Sequence, residues 1–361
     1  MNGNVAQILV ESTERFADRP ALKLAEVTWS YADLEQASQR VAGLLVAKGL
    51  VPGDRVGIML PNVPEFAAIY YGILRAGGVI VPMNILLQER EVAFYLEDPQ
   101  ARLLFVWHEY AGPAERGASV TGAEVVIIEP AGFAKTLAAV APVADVAVRA
   151  GDDTAVILYT SGTTGRPKGA MLTHDTMRIG AERVTPAILR ATEHDVILGA
   201  LPLFHSFGQT VSLNGCLRVG ACLAMIPRFT PSVVLETVQR EQVTIFLGVP
   251  TMSHALLNYP ERDAYDASSL RICVSGGASL PIEVLTGFED AFGCTVIEGY
   301  GLSETAATGT LGRPDRPRRA GSIGPAIEGV EIKLVDDHGA EVAPGAVGEL
   351  VGGRHARSGA G

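Results

Sequence analysis

Short apolar runs alternate with stretches of helical periodicity through most of this chain. The opening MNGNVAQILVESTERF reads as an amphipathic helix, and residues 30–49 (SYADLEQASQRVAGLLVAKG) as a second one closed by a glycine C-cap. Residues 55–60 have a buried-strand pattern stopped by Pro61, and Pro64 suits the first turn of a helix reaching Arg75. Strand patterns recur at Val79–Pro82, 103–106 and 125–128, with a helix predicted over 88–97. Beyond a Gly/Ser/Thr-rich interruption, the apolar runs 155–158, 196–198, 221–226, 243–247 and 270–274 read as strands. A helix opens near His174, and residues 231–240 and 281–292 read as helices with proline near the first turn. After Gly321 short alternating β segments take over, 330–335 (VEIKLV) being the clearest.

This order predicts an α/β protein with two αβαβα-like lobes, whose sheets are mixed and largely parallel, and a smaller β-rich portion. The expected divisions are 1–150 for the first lobe, 151–320 for the second and 321–351 for the β-rich segment. Residues 352–361 (GGRHARSGAG) have no apolar periodicity and are expected to be a disordered tail.

Composition narrows the class. With 361 residues, 48% of them hydrophobic, the chain can bury a large core. A net charge of −11 argues against nucleic acid or an anionic membrane as the main partner. The longest apolar stretch, 66–87, is broken by Arg75, Gly77-Gly78 and Pro82, so helix, turn and strand explain it better than a membrane span. Cys216, Cys222, Cys273 and Cys294 form no CxxC pair and read as buried free thiols of a cytoplasmic protein.

The interruption itself, residues 159–169, reads YTSGTTGRPKG: three glycines, five hydroxyl side chains and the cations Arg166 and Lys168. Glycines let backbone N–H groups approach a ligand, hydroxyls add donors and Lys168 adds charge, an inventory suited to a polyphosphate. The Walker spacing fails, because Pro167 stands where its second glycine belongs. An ordinary Ser/Thr/Gly linker is the alternative. Four other loops carry candidate chemistry. LPLFHSFG (201–208) holds His205 among aromatics, an arrangement that by itself fits packing as well as anion contact. SGGASLP (275–281) allows close backbone approach to a ring or phosphate, or is a plain tight turn. EGYGLSET (298–305) offers Tyr300 as a stacking face and Glu304 as a hard oxygen ligand for Mg²⁺. GSIGP (321–325) is most simply a turn.

Taken together and in this order, these segments resemble the adenylate-forming superfamily of acyl-CoA synthetases, luciferases and peptide-synthetase adenylation domains. YTSGTTGRPKG is similar to its phosphate loop and GYGLSET to its adenine-and-magnesium motif; the likeness runs from the first helix to about Leu350. The resemblance implies that the β-rich portion is a distorted barrel. It implies a two-step reaction: a carboxylate attacks the α-phosphate of ATP, releasing pyrophosphate, and the thiol of coenzyme A then takes the acyl group. Thr160, Ser161, Gly162, Thr163, Thr164, Gly165 and Lys168 would cradle the β- and γ-phosphates. Gly276, Gly277, Ala278 and Tyr300 would hold adenine, with Glu298, Gly299 and Gly301 on the same wall. Ser303 would meet the α-phosphate, Glu304 would bind Mg²⁺, and His205 would stand beside the nascent anhydride. His205, Lys168 and Glu304 are thus the expected catalytic residues.

Relatives that activate amino acids carry an aspartate shortly after the position of Phe204; here Phe204-His205-Ser206-Phe207 has no acid. An apolar acid is therefore expected, a fatty acid first and an aryl acid second, because a buried ammonium without a carboxylate is costly. Gly248, Val249, Thr251 and 306–309 are expected to line a roomy acyl tunnel. Full family members continue into a small domain bearing a lysine, preceded by a TGD-like segment, and these 361 residues contain neither. The expectation is weak ATP binding and little or no turnover by the chain as given. The alternative is a non-catalytic nucleotide- or acyl-binding remnant. Homo-oligomerisation is left open.

Overall fold

The structure is a computed structural model and describes residues 2–160 and 166–354. Two sheets organise it. The first has six strands in the order Glu124–Ile128, Ala101–Trp107, Arg55–Met59, Val79–Pro82, Thr154–Thr160, Lys168–Thr173. Its neighbours run parallel except the last pair. The second has eight: Thr310–Leu311, Thr295–Tyr300, Ile272–Ser275, Ile245–Gly248, Val196–Gly199, Cys222–Met225, Pro20–Leu24, Val27–Ser30. It is parallel inside and antiparallel at both edges. The strands Val79–Pro82, Cys222–Met225, Ile245–Gly248 and Ile272–Ser275 are buried at every residue, as strands covered by helices on both faces must be.

The helices follow from local chemistry. Ser30 caps the helix Tyr31–Ala47: its hydroxyl accepts from the Asp33 N–H at 3.1 Å, and Asp33 accepts from the Ser30 N–H at 2.9 Å. Pro64 opens the wholly buried helix Pro64–Arg75. These two helices approach closely because Gly72 leaves room for Val41; a Cβ there would lie 2.4 Å from Val41 Cγ1. Arg75, 1% exposed, pairs with Glu35 and donates to the Ala144 carbonyl, so it ties the connector after the first lobe to both helices.

The α/β class with largely parallel sheets is as expected, and four details differ. A cut near residue 150 does not separate the sheets. Pro20–Ser30 joins the second sheet through a parallel pairing with Cys222–Met225, and Thr154–Thr173 completes the first. The β-rich portion, among the described residues, is a two-stranded antiparallel ribbon of Val330–Val335 and Glu349–Arg354, where a distorted barrel was implied. That ribbon pairs Gly352–Arg354 with Val330–Ile332, so order extends past the expected start of the tail; residues 355–361 lie outside the described residues. Lastly, residues 208–214 form a buried π-helix, Gly208–Asn214, that no apolar period announces. All four cysteines are buried and free, and no helix among the described residues is long and apolar enough to cross a membrane.

Candidate functional site

The two flanks of the glycine-rich stretch pair as antiparallel strands before the helix begins at His174. Thr160 pairs with Lys168, which opens the strand Lys168–Thr173 instead of lying in a loop. Ser161, Gly162, Thr163, Thr164 and Gly165 lie outside the described residues. Lys168 is exposed. Tyr159, just before them, anchors the hairpin: its ring packs 4.3 Å from Tyr95 and its hydroxyl donates to Asp98 at 2.5 Å. Burial, then the hydrogen bond to Asp98, raises its pKa well above that of free tyrosine.

Ser303–Thr305 forms a 3₁₀ turn that packs against the strand carrying Lys168. A turn that follows a strand of the second sheet thereby meets a strand of the first. Leu302 N–H donates to Thr305 Oγ1 at 3.0 Å, and Ala307 N–H returns to the Leu302 carbonyl at 3.0 Å. The chain reverses through two consecutive alanines with positive φ, Ala306 (48°) and Ala307 (78°). Such strain persists only where surrounding packing over-determines it. Gly301 is what allows the reversal: a Cβ there would lie 1.8 Å from the Ala307 carbonyl oxygen. Glu304 is exposed and has no ion pair among the described residues.

Gly276, Gly277, Gly299, Tyr300 and Gly301 surround one cavity of about 30 Å³, closed on another side by Phe207. That is room for a single water. Gly276 faces the Phe207 ring, 3.2 Å from a Cβ position, and Gly277 has φ 82°. Ala278 is exposed on the same turn and does not line the cavity. Glu298 does not face it either. Its carboxylate accepts from the N–H groups of Leu280 (3.4 Å) and Gly321 (3.2 Å), bracing the SGGASLP turn from behind.

His205 keeps a solvent face, with its ring tilted 4.8 Å from Phe204, while the protein crowded around it lowers its pKa. Beside it Pro202 and Phe204 border an apolar groove of about 870 Å³ that reaches Trp107, Phe229 and Met252. The groove lies beyond the C-terminal ends of strands from both sheets, where open α/β folds place ligands.

Residues 9–356 match the AMP-binding enzyme family. The chain belongs to that family. It is 30% identical to a long-chain-fatty-acid–CoA ligase of Bacillus subtilis (strain 168), over 97% of this chain and 69% of that protein. It superposes on the anthranilate CoA ligase AuaEII in complex with anthranoyl-AMP with a TM-score of 0.91 at 29% identity, covering 97% of this chain and 68% of the other. Against ATP-bound MatB from Rhodopseudomonas palustris the TM-score is 0.90 at 31% identity, with coverage of 98% and 70%. The family read from YTSGTTGRPKG and GYGLSET is therefore the right one.

In this AMP-binding chain, sequence reasoning missed three side chains that hold the site together. Asn62, 5% exposed, donates to the carbonyls of Gly199 (2.8 Å) and Leu201 (2.9 Å) and accepts from Leu203 N–H (2.9 Å). It thus clasps the segment that leads into Phe204 and His205. Replacing Asn62 by Ala is expected to cost about 2 kcal/mol, since buried backbone groups lose their partners; urea unfolding measures it, and a loss under about 0.5 kcal/mol would refute the clasp. Asn214, in the π-helix, accepts from Tyr71 (2.6 Å) and donates to Tyr70 (3.0 Å), joining the two sheets' layers. The same π-helix buries Gln209 with neither amide atom partnered. π-Helical turns recur at functional sites.

His174, fully buried where the hairpin strand enters its helix, accepts the Val5 N–H at 3.1 Å on Nδ1. Burial, with Arg149 and Arg178 nearby and only Asp153 opposing, lowers its pKa to about 4. The folded value lies below the unfolded one, so this contribution is complete above pH 6.5 and is lost as pH falls towards 4. The loss amounts to about 3 kcal/mol. His174→Asn keeps an acceptor for Val5; its unfolding free energy is expected to decline less steeply than the parent's between pH 6.5 and 4. Equal slopes would show that His174 does not titrate with unfolding.

Proposed function

We propose that this chain supplies the nucleotide- and acid-binding part of an enzyme that joins a carboxylic acid to coenzyme A through an acyl-adenylate. The observation that supports the reading is the packing of Ser303–Thr305 against the strand Lys168–Thr173, which brings the GYGLSET segment up to the strand that closes YTSGTTGRPKG. Thr160, Lys168 and residues 161–165 would hold the β- and γ-phosphates. Tyr300 would stack on adenine, with Gly276 and Gly277 admitting it closely. Ser303 would donate to the α-phosphate. The acid's carboxylate oxygen then forms a bond to the α-phosphorus as the bond to pyrophosphate breaks; the chain's contribution is positioning and charge neutralisation.

Mg²⁺ fits Glu304: an exposed carboxylate beside two hydroxyl residues suits a cation that takes one protein ligand and completes its shell with phosphate oxygens and water. When bound, the ion would neutralise phosphate charge. His205, at the groove's edge, would stand beside the acyl end. The groove's apolar walls and volume support an apolar tail, a fatty acid first. An aryl acid is the second reading, favoured by the aromatic rings of Trp107, Phe204 and Phe229 along the groove.

Calorimetry with Lys168→Ala tests the phosphate assignment. Affinity for ATP is expected to fall about tenfold, the scale of one charge-assisted hydrogen bond, with AMP affinity nearly unchanged. Equal losses for both nucleotides, or none, would remove Lys168 from the β- and γ-phosphates. A panel of fatty and aryl acids in a pyrophosphate-release assay, on the chain joined to a lysine-bearing family domain, decides the acid.

A further inference from the structure

Residues 313–319 read RPDRPRR, four arginines and one aspartate in a chain of net charge −11. They rim a cavity of about 510 Å³ between the helix Ile282–Phe292 and the strand Thr295–Tyr300. Its floor is apolar, built from Leu285, Val296 and Ile297.

The arginines divide by task. Arg318 pairs with Glu289 and donates to the Val296 carbonyl at 2.6 Å, while Glu289 accepts the Val296 N–H at 2.7 Å. Together they cap the open edge of that strand, which gains its antiparallel neighbour only at Gly299 and Tyr300. Arg313 shares Asp315 with Arg190. Glu298, the other carboxylate at the cavity, is engaged by Leu280 and Gly321. The acids are thus already partnered, whereas Arg316 and Arg319 are exposed and have no ion pair among the described residues.

The geometry points to a second ligand site here, for a phosphate monoester carrying an apolar or aromatic group. Two guanidinium forks match a dianionic phosphate. Pro314 and Pro317 stiffen the segment, which lowers the ordering cost of binding. The volume lies in the range of small-molecule pockets. The site shares no lining residue with the cavity at Tyr300, yet both lie along the strand Thr295–Tyr300, so a ligand here would bear on the strand that presents Tyr300.

The probe is 1-naphthyl phosphate, followed by its fluorescence in about 50 mM salt, where surface electrostatics is least screened. Saturable binding is expected, weakened about tenfold or more in the exposed double variant Arg316→Gln/Arg319→Gln and unchanged in Lys168→Ala, with inorganic phosphate about tenfold weaker. No saturable binding would overturn the site. So would loss in Lys168→Ala with retention in the double variant, which would assign the probe to the nucleotide loop. Equal affinity for inorganic phosphate would remove the apolar floor from the argument and overturn the ligand class. Capture of the chain by phosphatidylglycerol vesicles without uptake of naphthyl phosphate would assign the arginines to a lipid surface instead, and equally refute the pocket.

Discussion

Gly301→Ala is expected to weaken AMP binding about 100-fold, a loss of about 2.7 kcal/mol. The added methyl would lie 1.8 Å from the Ala307 carbonyl oxygen and 2.3 Å from its carbon, and both are backbone atoms that cannot rotate away. Relief requires the 301–309 turn to open. That turn is already strained at Ala306 and Ala307, and it fixes Tyr300 on one side and Ser303 on the other. Gly309→Ala is the control, because its methyl would meet only the Tyr300 carbonyl at 3.4 Å, an ordinary contact. Calorimetry with AMP on both variants makes the comparison. AMP binding by Gly301→Ala within about threefold of the parent would show that the turn does not position the nucleotide.

Arg75→Ala is expected to destabilise the fold by about 3–5 kcal/mol, the scale for removing one partner of a buried ion pair. Arg75 is 1% exposed, and its removal leaves the nearly buried Glu35 uncompensated and the Ala144 carbonyl without a donor. Its own carbonyl accepts the Ala147 N–H at 2.8 Å, so the connector is held on both sides of this residue. Urea unfolding of Arg75→Ala, Glu35→Leu and the Arg75→Met/Glu35→Leu double variant forms the test. The double variant is expected to recover most of the loss, because a well-packed apolar pair of similar volume often matches a buried ion pair. A double variant no more stable than Arg75→Ala would mean that packing, rather than the unpaired carboxylate, sets the penalty.

Much of the architecture was legible because its central strands are buried on both faces. Val79–Pro82, Ile245–Gly248 and Ile272–Ser275 are continuous apolar runs, which chain order alone places between helices. The helix starts expected near Pro64 and Ser30 lie at Pro64 and Tyr31. What escaped was structure without such a pattern. Lys168–Thr173 buries only Leu172, so nothing in KGAMLT announces a strand, and its partner supplies the pairing instead. The hairpin Pro20–Ser30 is likewise half exposed at the sheet edge. Asn62 reads as turn chemistry after Pro61; its three contacts lie more than a hundred residues away, and no local rule reaches that far. Glu298 was legible as a residue of the motif but not in its orientation, which depends on Leu280 and Gly321 closing over it.

The hairpin has a mechanical consequence. Lys168 belongs to the first sheet and Tyr300 to the second, with Ser303 in the turn that follows, and the two sheets are otherwise joined by interior packing and a few hydrogen bonds such as those of Asn62 and Asn214. Held as proposed, by its phosphate end on one sheet and its base end on the other, a nucleotide would be a crossbar between two plates. It would resist their sliding even where it adds nothing to either plate alone. Analogues cut short at either end would fit the same seats and leave the plates free to shear.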